Sequence, residues 1–220
     1  MNVSIIIPLL NESESINELN EWIFKVLTNT DLEFEVIYID DGSRDSSWSI
    51  IEEIAKSNHN VKGISFNKNY GKSQALRVGF SEAKGEYVAT LDADLQDSPE
   101  EIPTMINKLI ENNLDMISGW KKKRYDSFFL KRLPSSLFNF VARIFSGISL
   151  NDFNCGIKVY KKEVIKSINL YADMHRFIPI LAKNEGYSRK GEHIVKHQPR
   201  KYGKSKFGNE RFIRGFLDII

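Results

Sequence analysis

This chain lacks most of the features that would place it at a glance. It has one cysteine, Cys155. A lone thiol forms no intrachain disulfide, so the chain is not a disulfide scaffold and suits a reducing compartment. With no second cysteine and no histidine partner in sequence, Cys155 is expected to be a small buried residue. No run of roughly eighteen apolar residues occurs, so no segment is long enough to span a bilayer as a helix. The apolar stretch Val3 to Leu10 is too short for a secretory leader and runs into Asn11-Glu12. No G-x-G-x-x-G follows the first expected strand, which weighs against a dinucleotide cofactor, and no G-x-x-x-x-G-K-[ST] occurs, which weighs against a P-loop. His59, His193 and His197 have no metal-like spacing to another ligand and are expected on surfaces or loops. Neither an internal repeat nor a low-complexity segment is present.

What is present is a chain of ordinary composition with an uneven charge layout. Its 220 residues suffice for one core, with room for an appendage, and the net charge is only +2. Residues 1–110 hold 9 basic and 19 acidic residues, whereas residues 111–220 hold 22 basic and 10 acidic ones. An acidic half suits a metal ion, and a basic half suits phosphates or an anionic surface. The plainer alternative is chance segregation of solvated faces.

Hydrophobic periodicity alternates between two templates. Val3 to Pro8, Phe34 to Ile39, Val61 to Phe66, Glu86 to Leu91 and Leu114 to Gly119 read as short buried strands. Between them lie helical stripes: Ile16, Leu19, Ile23, Val26 and Leu27, then Trp48, Ile51, Ile54 and Ala55. Two more follow, on Ala75, Leu76, Gly79, Phe80 and Ala83 and on Ile102, Met105, Ile106, Leu109 and Ile110. Strands alternating with helices imply βαβ units, a mostly parallel sheet and right-handed crossovers. The turns Pro8 to Glu12, Asp40 to Asp45, Asn67 to Lys72 and Asp92 to Asp97 should then open on one sheet edge, where α/β folds bind ligands.

The stretch Val88-Ala89-Thr90-Leu91-Asp92-Ala93-Asp94-Leu95-Gln96-Asp97 is the most informative of these. An apolar strand runs straight into three carboxylates and an amide. Neighbouring carboxylates repel unless a cation neutralises them. A hard divalent cation, Mg²⁺ or Mn²⁺, takes such oxygen ligands together with substrate phosphates. The competing reading is an acidic loop ahead of a capped helix, since Ser98-Pro99-Glu100-Glu101 has the form of a capping box. The two are compatible.

Four segments, Ile7-Pro8-Leu9-Leu10-Asn11-Glu12, Asp40-Asp41-Gly42-Ser43-Arg44-Asp45, Asn69-Tyr70-Gly71-Lys72 and Asp92-Ala93-Asp94-Leu95-Gln96-Asp97, together resemble the signatures of family 2 glycosyltransferases with the GT-A fold. Asp152-Phe153-Asn154-Cys155-Gly156-Ile157-Lys158, His175-Arg176-Phe177-Ile178-Pro179 and Arg200-Lys201-Tyr202-Gly203-Lys204-Ser205-Lys206 are similar to the branch with polyprenyl-phosphate acceptors, which includes dolichol-phosphate mannosyltransferases and bactoprenol glucosyltransferases. The resemblance runs to about Phe216. It implies a Rossmann-like α/β domain with helices on both sheet faces and a membrane-facing amphipathic segment. It implies inverting, metal-dependent transfer of a hexose from a nucleotide sugar to a polyprenyl phosphate, undecaprenyl or dolichyl, at the cytoplasmic membrane face. Pro8, Leu10, Glu12, Asp40 and Asp41 would line the base and ribose pocket, with Lys72, Asp92 and Ala93 completing the nucleotide contacts. Asp92, Asp94 and Gln96 would hold Mg²⁺ or Mn²⁺. Arg200 and Lys206 would fold over the diphosphate from a loop expected to stay mobile until donor binds. Lys72 has the rival reading of a surface lysine at a helix start. Catalytic roles fall to Asp94, Arg200 and Asp152, the last either a positioning group or a weak base, or else simply a turn residue.

The basic half carries the acceptor side. Leu130, Leu133, Leu137, Val141, Ile144 and Ile148 form a helical stripe that Pro134 starts or kinks, thickened by Phe128, Phe129, Phe138, Phe140 and Phe145. A basic, Phe-rich amphipathic helix reads as lying in a membrane interface, or else as one packed on the sheet. Arg124, Lys131, Arg132 and Arg143 are the candidates for the acceptor phosphate. Residues 1–206 should form the catalytic domain: 1–120 the nucleotide-sugar half, 121–206 the acceptor half with its basic loop 198–206. Residues 207–220 should form an amphipathic juxtamembrane helix with Phe212, Ile213, Phe216, Leu217 and Ile220 on one face. Family members of the bacterial type carry membrane-spanning helices after this point, so the chain is either a catalytic domain cut before them or a protein that touches the membrane peripherally. UDP-glucose is the first expectation for the donor and GDP-mannose the second. A homo-oligomer is possible through the C-terminal helix. A growing glycan as acceptor and a non-catalytic module binding anionic lipid are the rival readings. Nucleic acid is not expected, because the aromatics follow helical core spacing rather than interleaving with cations.

Overall fold

A computed structural model describes residues 2–122 and 133–203, with the side chains of 133–138 excepted. The expected alternation is realised as β1 (Val3–Leu9), α1 (Ile16–Leu27), β2 (Phe34–Asp40), α2 (Ser47–Ser57), β3 (Val61–Ser65), α3 (Lys72–Glu82), β4 (Tyr87–Thr90), α4 (Glu101–Glu111) and β5 (Met116–Trp120). The second half adds α5 (Leu133–Ser146), β6 (Lys158–Lys161), α6 (Lys162–Ser167), a 3-10 turn at Met174–Arg176, α7 (Ile178–Asn184) and β7 (Lys190–Ile194).

The strands form one sheet in the order β3-β2-β1-β4-β6-β5-β7. All neighbours are parallel except β6, which runs antiparallel to both β4 and β5. The period-2 rule shows in β1. Val3, Ile5, Ile7 and Leu9 join a core beneath α1, α2 and α4, whereas Ile6 joins a core beneath α3, α6 and α7. The sheet is therefore buried on both faces, which is why its central strands read as continuous apolar runs.

β1 leads outward through β2 to β3, and the chain then returns to β4 on the other side of β1. The strand order reverses between β1 and β4, and open α/β sheets place ligands at the carboxyl ends of such a pair. Pro8 fits here because β1 pairs with β4 only from Val3 to Ile6. Beyond that point the strands diverge, so the missing N–H of Pro8 costs no ladder bond.

β6 and β7 were not legible from periodicity. β6 is four residues, and β7 is a polar strand at the sheet edge. Pro134 falls in the first turn of α5, so it starts that helix rather than kinking it. α4 begins at Glu101, three residues after Ser98, whose hydroxyl accepts the Glu100 N–H at 3.2 Å. No helix among the described residues is long and apolar enough to cross a membrane.

Candidate active site

The four strand-end turns meet as their pattern implies. Asn11 N–H donates to Ser43 Oγ at 2.7 Å, and Glu12 N–H to Ser47 Oγ at 2.9 Å, so the turn after β1 is sewn to the turn after β2. Asp41 Oδ1 accepts the Tyr70 N–H at 2.7 Å and Oδ2 the Gly71 N–H at 2.9 Å, which ties in the turn after β3. Asp40 Oδ1 accepts from Ser43, and its Oδ2 from Ser65 Oγ at 3.2 Å. The two carboxylates expected to read the base thus build the turns around themselves. Burial raises the pKa of Asp41, with the two backbone N–H groups opposing it. Pro8 is buried at the end of β1, and Leu10, just after it, is half-buried.

Asp92 and Asp94 follow β4 into the crevice, and the bend after them passes through Leu95 at φ +60. A branched residue in the left-handed region marks a turn held by its surroundings. Lys72, in the first turn of α3, pairs with Asp92 Oδ1. Arg200 Nη2 donates to Asp94 Oδ2 at 2.8 Å, and its Nη1 lies 3.4 Å from Glu12 Oε1. Burial would raise the pKa of Asp92, but the ammonium groups of Lys72, Lys121 and Lys158 outweigh it and hold the carboxyl down to about 2. Asp94 goes the other way, raised to about 6 by burial and by the charge of Asp92 against the pull of Arg200. Two adjacent carboxylates driven apart in this way mark a site organised around charge.

The described part of the basic segment, residues 197–203, is tied to the acidic turn and to α1. Asp97 and His197 form an antiparallel backbone bridge, and Gln198 N–H donates to the Gln96 carbonyl at 2.9 Å. Gln96 Nε2 returns a bond to the Gln198 carbonyl at 3.2 Å. Lys201 and the Tyr202 hydroxyl both hold Glu18 of α1, at 2.8 and 3.0 Å. These ties carry Arg200 over Asp94. His197 is buried in the loop segment after β7, one of the two places expected for it, whereas His193 stands on β7 between Glu101 at 2.9 Å and Lys108 at 2.8 Å rather than on a surface or loop.

Asp97, Lys121, Gly156 and Lys158 pack beside the carboxylates, and the sequence reading gave none of them a site role although Asp97, Gly156 and Lys158 stand within its motifs. Asp97, 1 % exposed, pairs with Lys121 Nζ at 2.7 Å. Lys158 is buried on β6 and donates to the Cys155 carbonyl. Gly156 presses on the site so closely that a Cβ there would lie 2.5 Å from Asp92 Oδ2 and 3.0 Å from Asp97 Oδ2. The signal was membership of those motifs and position at strand ends. Lys121 immediately follows a strand on the binding edge, and Asp97 closes the acidic motif.

Asp152 is wholly buried, and its Oδ1 accepts the Asn154 N–H at 3.1 Å, the arrangement of a turn residue. Arg143 lies half-buried on α5, whose Phe140, Ile144 and Phe145 are 53 %, 63 % and 74 % exposed. Ala93 is buried in the acidic turn. Arg124, Lys131, Arg132 and Lys206, like the helix expected over 207–220, lie outside the described residues.

The family model for glycosyl transferase family 2 matches residues 4–168. The chain belongs to that family. Among family 2 relatives, the dodecaprenyl-phosphate galacturonate synthase of Rhizobium johnstonii is 33 % identical over 222 residues, covering 100 % of this chain and 66 % of that protein. The undecaprenyl-phosphate 4-deoxy-4-formamido-L-arabinose transferase of Shewanella sediminis is 38 % identical over 220 residues, covering 99 % and 65 %. The chain thus spans slightly less than two thirds of these relatives' own length. Glucosyl-3-phosphoglycerate synthase from Mycobacterium tuberculosis, solved with Mn²⁺, UDP and glucosyl-3-phosphoglycerate, superposes with a TM-score of 0.71 over 99 % of this chain and 79 % of that one, at 18 % identity. The fold is GT-A.

The donor set in the crevice fits a hard divalent cation. Among the described residues no three His, Cys, Asp or Glu side chains gather as a metal cluster. Asp92 and Asp94 instead offer two carboxylates, the usual protein share for Mg²⁺ or Mn²⁺, with water and phosphate oxygens as the remainder. The side-chain N–H of Gln96 is engaged by Gln198, which leaves its carbonyl oxygen as the donor it can offer.

Proposed function

We propose that this chain is the catalytic domain of a transferase moving a sugar from a nucleotide sugar to a polyprenyl phosphate, assisted by Mg²⁺ or Mn²⁺, at a membrane surface. The observation that carries the reading is the meeting of Asp92 and Asp94 with Lys72 and Arg200 at the reversal point of the sheet. A bound cation supplies charge neutralisation for the departing nucleoside diphosphate. Asp92 and Asp94 would hold that cation. Lys72 and Arg200, which pair with these same carboxylates, would transfer to the diphosphate oxygens. Arg200 suits the task because its planar fork matches phosphate. Asp40, Asp41, Pro8, Leu10 and Glu12 would frame the nucleoside. Asp152 would order the turn beneath the sugar rather than move a proton, since a phosphate acceptor is already ionised at neutral pH.

Names of the two relatives, both of polyprenyl-phosphate type, support the acceptor class. So does α5, where Phe140, Ile144 and Phe145 stand exposed beside Arg143. Large apolar side chains next to a cation suit the interface of an anionic bilayer. Transfer at the cytoplasmic face, and UDP-glucose ahead of GDP-mannose as donor, belong to the same proposal.

The test is a calorimetric screen of nucleoside diphosphates with MnCl₂ and then with chelator, followed by turnover with the matching sugar and a polyprenyl phosphate. Tight binding lost with chelator is expected, and Asp94→Ala should abolish both binding and turnover. Metal-dependent activity surviving in Asp94→Ala would move the metal elsewhere.

A further inference from the structure

The backbone of Gly156 lies directly against the Asp92 carboxylate. Thr90 and Lys158 are register partners on the antiparallel pair β4–β6. Each ties one of two successive carbonyls: Thr90 Oγ1 donates to the Gly156 carbonyl at 2.8 Å, and Lys158 Nζ donates to the Cys155 carbonyl. Gly156 is thereby pressed against Asp92 and Asp97 at distances that only a residue without Cβ can reach. Lys158 is 4 % exposed. A buried ammonium bonded to a backbone carbonyl is a costly way to hold a loop, and a neutral donor would do it more cheaply. Burial lowers the pKa of Lys158, and the carboxylates of Asp152 and Asp92 oppose that shift.

We propose that Lys158 is a positioning residue for the reaction: with Thr90 it clamps the Cys155–Gly156 backbone against Asp92 and so fixes the carboxylate that would hold the cation beside the diphosphate. The inference rests on the nucleotide-sugar reading of the crevice. It makes Lys158 a residue that touches no substrate and still sets donor affinity.

The experiment compares wild type, Lys158→Met, Thr90→Val and the double variant by calorimetry with UDP and MnCl₂, alongside thermal unfolding. Methionine keeps most of the volume while removing donor and charge. Lys158→Met is expected to fold with an unchanged or raised midpoint, because it removes a buried charge. Its affinity for UDP should fall at least tenfold. Thr90→Val should lose a smaller factor, and the double variant should fall short of the product of the two, since both act through one loop. Affinity within threefold of wild type in Lys158→Met overturns the proposal. So does an unchanged dissociation constant with reduced stoichiometry, which would make the role purely structural. Should Lys158→Met fail to fold, Thr90→Val decides, and affinity within threefold of wild type there overturns the clamp. A wild type that binds no nucleoside diphosphate with Mn²⁺ overturns the reading of the crevice itself, and the proposal with it.

Discussion

Adding one methyl group at Gly156 is the sharpest perturbation this site offers. The backbone there is not in the left-handed region, so alanine meets no torsional obstacle, and the whole effect is steric. Its Cβ would stand 2.5 Å from Asp92 Oδ2 and 2.7 Å from Asp92 Cγ, where ordinary contact begins near 3.4 Å. The carboxylate must retreat by about 1 Å, because on the other side the Gly156 carbonyl is held by Thr90. A displacement of about 1 Å in a positioned group costs on the order of a hundredfold in rate. Overpacking of this kind costs about 1–3 kcal/mol of stability. In a chain of this size that lowers the melting midpoint by roughly 2–4 °C per kcal/mol. The variant should therefore remain folded at 25 °C while losing most metal-dependent donor binding. Calorimetry with MnCl₂ and the nucleoside diphosphate that the wild type binds measures the first effect, and a thermal scan the second. Donor affinity and melting midpoint both equal to wild type would show that Asp92 is not held by this contact, and the account of the site's rear wall would fail.

Other consequences can be checked separately. Arg200→Ala removes a charged hydrogen bond to Asp94 and a cation for the diphosphate; at about 1.5–3 kcal/mol it should weaken donor binding ten- to a hundredfold, and unchanged titrations would make the seated loop a bystander. Changing Phe140 and Phe145 together to Ser should reduce sedimentation with anionic vesicles and leave nucleotide binding and stability intact, because both side chains are exposed; a fall in stability would mean that α5 uses them internally. Asp115 joins β5 to β7 by accepting from Arg189 N–H at 2.9 Å, Nε at 3.1 Å and Nη2 at 2.6 Å. Burial alone would raise its pKa, but the hydrogen bonds from Arg189 outweigh it and the net shift is downward. A depressed carboxyl stabilises the fold above its unfolded value and loses that contribution as pH falls. Wild type should exceed Asp115→Asn by about 1–2 kcal/mol at neutral pH, with the gap closing below about pH 4 in urea titrations. A gap that widens in acid would reverse the argument.

Much of this protein was written in its local pattern. The five strands from Val3 to Gly119 and the helices between them follow from apolar runs and helical stripes, because a sheet buried on both faces needs both. The convergence of Glu12, Asp40, Asp41, Lys72, Asp92 and Asp94 followed as well, since right-handed crossovers leave every turn after a parallel strand on one edge. Pattern could not show what those groups touch. Asp40 and Asp41 spend their oxygens on neighbouring turns, a fact of angstrom-scale geometry between segments some thirty residues apart. The polar β7 has no alternation to announce it, because an edge strand is recruited by its partner β5 rather than by its own side chains. The pairings of Lys121 with Asp97 and Arg200 with Asp94 join residues distant in sequence, and no spacing encodes them. Local sequence determined which chemistry arrives at the crevice, through periodicity and strand-end turns. Tertiary packing alone decided which cation faces which carboxylate and how tightly Gly156 closes the rear, because those depend on the antiparallel return of β6 and on the seating of residues 197–202 across the site.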